Sequence, residues 1–214
     1  MKLRLSRVHF PVTTLGPGQR LGIWFQGCSI QCPGCISADT WATNRGNTTL
    51  EDILQQIIVL LPEADGITIS GGEPFDQPEA LVALLSALRQ RTEADILVYS
   101  GHSFETLSPV LQRAHGLIDA LITDPFQLLS AHSRPLRGSD NQRMHLLTSL
   151  GRERFTQFER FLTGQDKLLD VMFDEDGSVW FAGIPSRGDF QRLRDLLQDE
   201  GHLVRISVDK ARSR

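Results

Sequence analysis

The chain has no basic surplus. Its 22 Lys and Arg are outnumbered by 26 Asp and Glu, giving a net charge of −4 at pH 7. Binding to nucleic acid through phosphate neutralisation is therefore not expected. Long apolar runs are also missing. A run such as residues 57–61, Ile-Ile-Val-Leu-Leu, falls far short of the roughly 20 residues that cross a membrane, so no membrane association is expected. Residues 1–11 carry Lys2, Arg4 and Arg7 among their apolar residues, which is not the pattern of a signal peptide, and a cytoplasmic location is expected. There is no internal repeat and no low-complexity tract. What remains is a folding composition of 40% apolar and 22% charged residues over 214 positions. That suits one domain, or one domain with an extension.

Cysteine is scarce and concentrated. The three cysteines, Cys28, Cys32 and Cys35, fall within eight residues. An odd number packed this closely excludes a disulfide framework. One loop can instead bring three thiolates to one place.

Apolar periodicity gives the order of elements. Residues 21–26 read as a buried strand leading into the cysteine loop. Thr48 and Glu51 have capping-box spacing ahead of a helix with Ile53, Leu54, Ile57, Leu60 and Leu61 on one face. Residues 67–69 read as a strand followed at once by Gly71-Gly72-Glu73-Pro74. Asp76 and Pro78 then open a helix bearing Leu81, Leu84, Leu85 and Leu88. Residues 96–99 form a strand ending in Ser100-Gly101, Ser103 caps a helix to about Ala114, and residues 117–122 form another strand. Such alternation predicts an α/β fold, a parallel sheet covered by helices. Functional residues in these folds gather at the C-terminal strand ends, where the cysteine loop, the Gly-Gly-Glu-Pro segment and Ser100 all fall. Residues 123–150 show little periodicity. Phe155, Phe158, Phe161 and Leu162 read as a helical core stripe. Residues 168–173 and 178–181 read as a hairpin about a turn at 174–177, followed by a helix over Phe190, Leu193, Leu196 and Leu197 and a strand at 203–208.

A C-x3-C-x2-C loop supplies three thiolates, whereas a four-iron cluster most often takes four. One iron would stay open to an outside ligand. Zinc would need a fourth ligand such as His9 or His102, and no second C-x2-C knuckle is present. By itself, Gly71-Gly72-Glu73-Pro74 also suits an ordinary strand-to-helix turn. Its functional reading is that two glycines let a ligand approach the backbone, while carbonyls and a carboxylate hold an ammonium group. His115, His132 and His202 read as surface or helix-end residues, Trp24 and Trp41 as packing round the cysteine loop, and Arg137 and Arg143 as surface charges or partner contacts.

These motifs resemble those of the radical S-adenosylmethionine (SAM) superfamily. Cys28-Ser29-Ile30-Gln31-Cys32-Pro33-Gly34-Cys35 is similar to its cluster loop, and Ile69-Ser70-Gly71-Gly72-Glu73-Pro74 to its SAM-binding strand end. Gly16-Pro17-Gly18-Gln19-Arg20, Phe25-Gln26-Gly27-Cys28 and Trp41 resemble the activating proteins of glycyl-radical enzymes. Within these, Cys32-Pro33-Gly34-Cys35 and residues 138–143 resemble the activating proteins of anaerobic ribonucleotide reductase. The departures are Leu15 in place of an Asp, Ile36-Ser37 in place of an aromatic or His and then Asn, and Thr123-Asp124-Pro125-Phe126, whose acid is displaced by one position. Asp124 and His102 are left without an assigned role.

The resemblance implies a partial (β/α) barrel over residues 8–150, with residues 151–214 completing it or binding a partner. It implies one 4Fe–4S cluster on Cys28, Cys32 and Cys35. Gly71, Gly72, Glu73 and Pro74 would hold the methionine part of SAM, Pro33 and Gly34 would lie along the adenosine, and Ser100 would touch the cofactor. Reduction by a flavodoxin-like or other one-electron donor would cleave SAM to a 5′-deoxyadenosyl radical. That radical would abstract hydrogen from a glycyl-radical enzyme. The other readings are a radical SAM enzyme acting on a small molecule or peptide, and a non-enzymatic iron–sulfur or zinc module.

Overall fold

A computed structural model of the chain describes residues 1–166, 169–173 and 179–202. The chain opens with a long strand, β1 (Lys2–Val12), and returns through β2 (Arg20–Phe25) into the cysteine loop. A short strand, β3 (Asn47–Thr49), runs directly into α1 (Leu50–Ile57). Then come β4 (Gly66–Gly71), α2 (Pro78–Arg89), β5 (Asp95–Tyr99), α3 (Phe104–Arg113) and β6 (Ala120–Thr123). After a long loop the chain adds β7 (Arg143–Leu146) and α4 (Ser149–Phe155). It then forms β8 (Leu169–Phe173), β9 (Val179–Gly183) and α5 (Asp189–Asp199).

Seven of the described strands form one sheet in the order β3-β1-β2-β4-β5-β6-β7. The four central strands are parallel, as the alternation of elements requires. β1 and β3 on one flank and β7 on the other run antiparallel to their neighbours. The sheet does not close, because β3 and β7 end it on opposite sides. β8 and β9 pair as a separate antiparallel hairpin.

A parallel sheet has to be covered on both faces. On one face Leu21, Ile23, Ile67, Ile69, Ile96 and Val98 pack against Ile57 of α1, Leu81, Leu84 and Leu88 of α2 and Leu107 of α3. On the other, Leu97, Ala120 and Ile122 pack against Phe155 of α4 and Leu136. Val12, Leu15 and Trp24 pack there against Met172 and Ala182 of the hairpin.

The same face carries an ion pair with no exposure on either side chain. Arg20 Nη2 lies 2.6 Å from Asp95 Oδ1, at the first residues of β2 and β5. Arg20 also donates to Thr68 Oγ1 at 2.6 Å and to the Ile67 carbonyl at 2.7 Å, and Arg154 Nε lies 3.0 Å from Asp95 Oδ2. Burial draws the Arg20 pKa below its ordinary value, against the opposing charge of Asp95. The arrangement couples α4 to the N-terminal ends of the strands.

Several expectations are corrected. The cap of α1 is Thr49, whose side chain accepts from the Asp52 N–H, while Thr48 pairs with Leu3 in the sheet. Asp76 belongs to a short turn over Pro74–Asp76, and α2 begins at Pro78. The fourth parallel strand starts at Ala120 rather than 117. Residues 123–150, which lack periodicity, contain the antiparallel edge β7 and the start of α4. The phenylalanine stripe is broken: Phe155 is buried, but α4 ends there and Phe161 is 68% exposed. The hairpin and the last helix are present as expected. The hairpin turn at 174–177 and the strand at 203–208 lie outside the described residues.

Candidate functional site

The three motifs meet at the C-terminal ends of the parallel strands. Beyond β2, Gly27 takes a positive φ of 102° and donates its N–H to the Thr40 carbonyl at 2.7 Å. Cys28 then donates to the Trp41 carbonyl at 3.2 Å. Ser29 turns to Asp76, which accepts from its N–H at 2.7 Å and its hydroxyl at 2.8 Å. Gly34, at φ +77°, allows the tight return in which Cys35 N–H reaches the Cys32 carbonyl at 3.1 Å.

Gly71 and Gly72 are required by close packing of the chain on itself. A Cβ on Gly71 would stand 2.3 Å from the Phe25 carbonyl oxygen, and one on Gly72 would stand 2.1 Å from that of Gly27. The expected reason, ligand approach, is thus joined by a backbone crossing. Gly72 N–H bonds to Phe25 O and Glu73 N–H to Gly27 O, both at 2.8 Å, which locks the turn to the entry of the cysteine loop.

Glu73 is 1% exposed. Its carboxylate accepts from Phe75 N–H at 3.0 Å, Ser100 hydroxyl at 3.0 Å and Gly101 N–H at 2.8 Å. Burial pushes its carboxyl above the ordinary value, while those donors favour the charged form. Glu73 therefore fastens the β4 end to the β5 end and brings Ser100 into the site. Pro74 starts the following turn.

The cysteines are all free, Cys28 buried and the other two half-buried. Burial pushes the three thiols above their ordinary pKa, Cys35 to about 11. Opposing this, backbone N–H groups of Gln31 and Ile30 favour the Cys28 thiolate, that of Phe126 the Cys32 thiolate, and that of Ser37 with the Trp41 side chain the Cys35 thiolate. Sulfurs met by such donors suit an iron–sulfur cluster, whose potential depends on hydrogen bonds to sulfur. Among the described residues no three His, Cys, Asp or Glu side chains gather closely enough to share one ion. A four-iron cluster presents a separate iron to each thiolate, so its three cysteines need not converge on one ion. His9, weighed as a zinc ligand, packs its ring on Trp180 at 5.1 Å.

The raised thiols give an expected pH profile. Without metal, the thiols react with disulfide reagents more slowly at pH 8 than free cysteine, whose pKa is about 8.5, because the thiolate is the nucleophile. The rate at Cys35 rises last, toward about pH 11. Labelling at a series of pH values with mass-spectrometric site assignment checks this. A Cys35 profile with its midpoint below that of free cysteine would contradict it.

A cavity of about 1080 Å³ opens beside these motifs. Gly34, Cys35, Ser70, Gly71 and Tyr99 line one side, and Phe181, Phe190 and Leu193 of the C-terminal part line another. Trp41 lies at the cysteine loop as expected. Trp24 lines the cavity but packs edge-on against Trp180 of the hairpin, at 5.3 Å. Pro33 is exposed. The Gly16-Pro17-Gly18 turn lies elsewhere: it precedes β2, and Gly16 and Gly18 line a separate cavity of about 690 Å³ at the other end of the strands.

His102 stands beside the site, its Nε2 3.5 Å from Asp76 Oδ1. Asp124 is turned to Arg143, which donates to it at 2.7 Å and also grips Glu105 at 2.9 Å. Arg137 is 3% exposed and paired with Glu159, so it is neither a surface charge nor a free partner contact. His132 is half-buried and lines both cavities, contrary to its surface reading. The sequence reading missed Asp76 as a brace of the cysteine loop. It also missed Gln77, whose amide bonds Arg4 N–H at 2.8 Å, Arg4 O at 3.0 Å and Gln26 O at 3.1 Å. Two polar residues one position after Gly-Gly-Glu-Pro, beyond Phe75, were the available signal.

Comparison with known proteins identifies the relatives of this chain. A family model described as a 4Fe-4S single cluster domain matches residues 14–145. The anaerobic ribonucleoside-triphosphate reductase-activating protein of Salmonella typhi is 33% identical over 150 residues, covering 65% of this chain and 96% of the relative. That of Escherichia coli (strain K12) is 33% identical over 148 residues with the same coverage. A pyruvate formate-lyase-activating enzyme of Clostridium pasteurianum is 31% identical over 102 residues, 45% of this chain and 43% of that protein. With its cysteine loop and Gly-Gly-Glu-Pro turn bound together at the strand ends, the chain belongs to the 4Fe-4S single cluster domain family, among the radical SAM activating proteins of glycyl-radical enzymes.

Proposed function

We propose that this chain installs a glycyl radical on a partner enzyme of the anaerobic ribonucleoside-triphosphate reductase type. In this reading Cys28, Cys32 and Cys35 hold one 4Fe–4S cluster. Gly71, Gly72, Glu73 and Pro74, with Ser100, Pro33 and Gly34, hold SAM beside it. A cluster with one open iron, reduced by a flavodoxin-like or other one-electron donor, supplies reductive cleavage of SAM to a hydrogen-abstracting 5′-deoxyadenosyl radical. The protein's own part is position and exclusion of water. Backbone N–H groups orient the three sulfurs, and Glu73 holds two strand ends in register beneath them. The observation that carries the reading is the tying of Gly27, Gly72, Glu73 and Ser100 into one hydrogen-bonded unit beside the cysteines. The identity of the relatives supports it.

We read the open sheet as a partial (β/α) barrel of radical SAM type, with a core over 8–150 and an extension over 151–214. The free thiols favour a reducing, cytoplasmic setting. Among the described residues no helix is long and apolar enough to cross a membrane.

The test is anaerobic reconstitution followed by dithionite, SAM and a purified anaerobic ribonucleotide reductase. Release of 5′-deoxyadenosine and a glycyl doublet in paramagnetic resonance are expected. Release without the doublet rejects this partner class. No release rejects the enzyme reading.

A further inference from the structure

The cavity beside the cysteines has a wall that the family match does not include. The match to the 4Fe-4S model ends at residue 145. Relatives are covered over 96% of their length by 65% of this chain. β8, β9 and α5 all lie beyond that matched region. Yet they contribute Val171, Phe181, Phe190, Leu193 and Leu197 to the lining of the same cavity that Gly34 and Cys35 enter.

This wall is held in place. Asp170 of β8 accepts from Thr13 N–H and hydroxyl, both at 2.7 Å, and from Thr14 N–H at 3.1 Å and hydroxyl at 2.9 Å. Four donors on one carboxylate, at the β1–β2 connection, form a charge-assisted latch. Thr14 hydroxyl also reaches the Ala182 carbonyl of β9 at 3.2 Å. Below the latch, Met172 and Ala182 are buried against Val12, Leu15 and Trp24. Trp180 lies edge-on to Trp24, with the Arg7 guanidinium 4.2 Å from its ring centre. Behind the hairpin, Phe181 meets Phe190 of α5 at 5.5 Å.

We propose that β8, β9 and α5 are a substrate-selecting wall, latched by Asp170, which turns the open strand ends into a slot for an extended chain segment. The cavity, at about 1080 Å³, is at the top of the ~300–1,000 Å³ range of small-molecule sites, and its lining runs from Ser70 and Gly71 to Phe190 and Leu193. Its added side combines the apolar Phe181, Phe190 and Leu193 with Arg187 and Arg194, so a bound segment buries apolar groups there beside cationic ones. The segment's identity as part of a glycyl-radical enzyme rests on the function proposed above. The existence of the latched wall does not.

The test has two arms. In the metal-free protein, labelling of Cys35 by a bulky disulfide reagent is compared for wild type, Asp170→Ala and Asp170→Asn. Asp170→Ala is expected to speed it about tenfold, because losing charged hydrogen bonds favours local opening. Asp170→Asn, which keeps one acceptor oxygen, falls between. In the reconstituted protein, Asp170→Ala and Asp170→Asn are expected to keep 5′-deoxyadenosine release. Radical formed on the reductase per 5′-deoxyadenosine is expected to fall about tenfold, because the target is misplaced. Asp170→Asn carries the test if Asp170→Ala fails to fold. Cys35 labelling and coupling both equal to wild type overturn the wall. If wild type forms no radical on the reductase, the proposed partner is lost and the labelling arm still decides the wall.

Discussion

Cys32→Ala yields a protein that folds but assembles no cluster and releases no 5′-deoxyadenosine. Cys32 is half-buried in a loop and belongs to no hydrophobic core cluster. Its truncation therefore costs little stability, about 0.5 kcal/mol or less. Its sulfur is one of three ligands, and with two thiolates left the four-iron cluster is not retained. Loss of the brown absorbance after anaerobic reconstitution, with an unchanged circular dichroism spectrum and thermal midpoint, checks the claim. Full cleavage of SAM by this variant would remove the cluster from these residues. The structure gives a reason why the loss is confined to the site. Glu73, Gly72 and Asp76 hold the turn and the loop through backbone and carboxylate bonds that do not involve the cysteine sulfurs.

Asp95→Ala has the opposite signature, a large loss of stability with the chemistry spared. Asp95 and Arg20 are both without exposure, and Arg154 shares the same carboxylate. Removing the acid leaves Arg20 charged and buried among Thr68, the Ile67 carbonyl and the Phe155 ring. Breaking a buried pair from one side costs about 3–5 kcal/mol, because the surviving charge is uncompensated. For a chain of this size that lowers Tm by roughly 10 °C. Asp95 begins β5, whereas the site lies beyond the end of that strand. Cleavage of SAM well below the new midpoint is therefore expected at the wild-type rate. Chemical denaturation, with the midpoint read at unchanged slope, measures the effect. A shift under about 1 kcal/mol would show that α4 and the strands do not depend on this pair.

The parallel core was legible because its signals are local. Apolar runs in β2, β4 and β5 alternate with amphipathic α1, α2 and α3, and Ser103 caps α3 by accepting from Thr106 N–H as its position suggests. The antiparallel strands were not. β1, β3 and β7 are mixed in character because their pairing is antiparallel and one side meets solvent or loops. Their strand identity comes from partners as distant as Thr49 for Lys2. The cap of α1 moved by one residue for a similar reason: pairing of Thr48 with Leu3 takes that residue into the sheet and leaves Thr49 to cap.

The cysteine spacing, the Gly-Gly-Glu-Pro turn and their place after apolar strands were settled by the order of residues alone. Three thiolates within eight positions restrict the chemistry before any folding is considered. Tertiary structure decided the rest. It made Glu73 a buried tie between two strands, recruited Asp76 to the cysteine loop, turned Asp124 to Arg143, and brought β8, β9 and α5 beside Gly34 and Cys35, more than a hundred positions away. Ligand identity is set by short-range spacing. The shape of the space around the ligand depends on contacts between distant segments, which exist once the backbone's donors, acceptors and apolar faces have found partners.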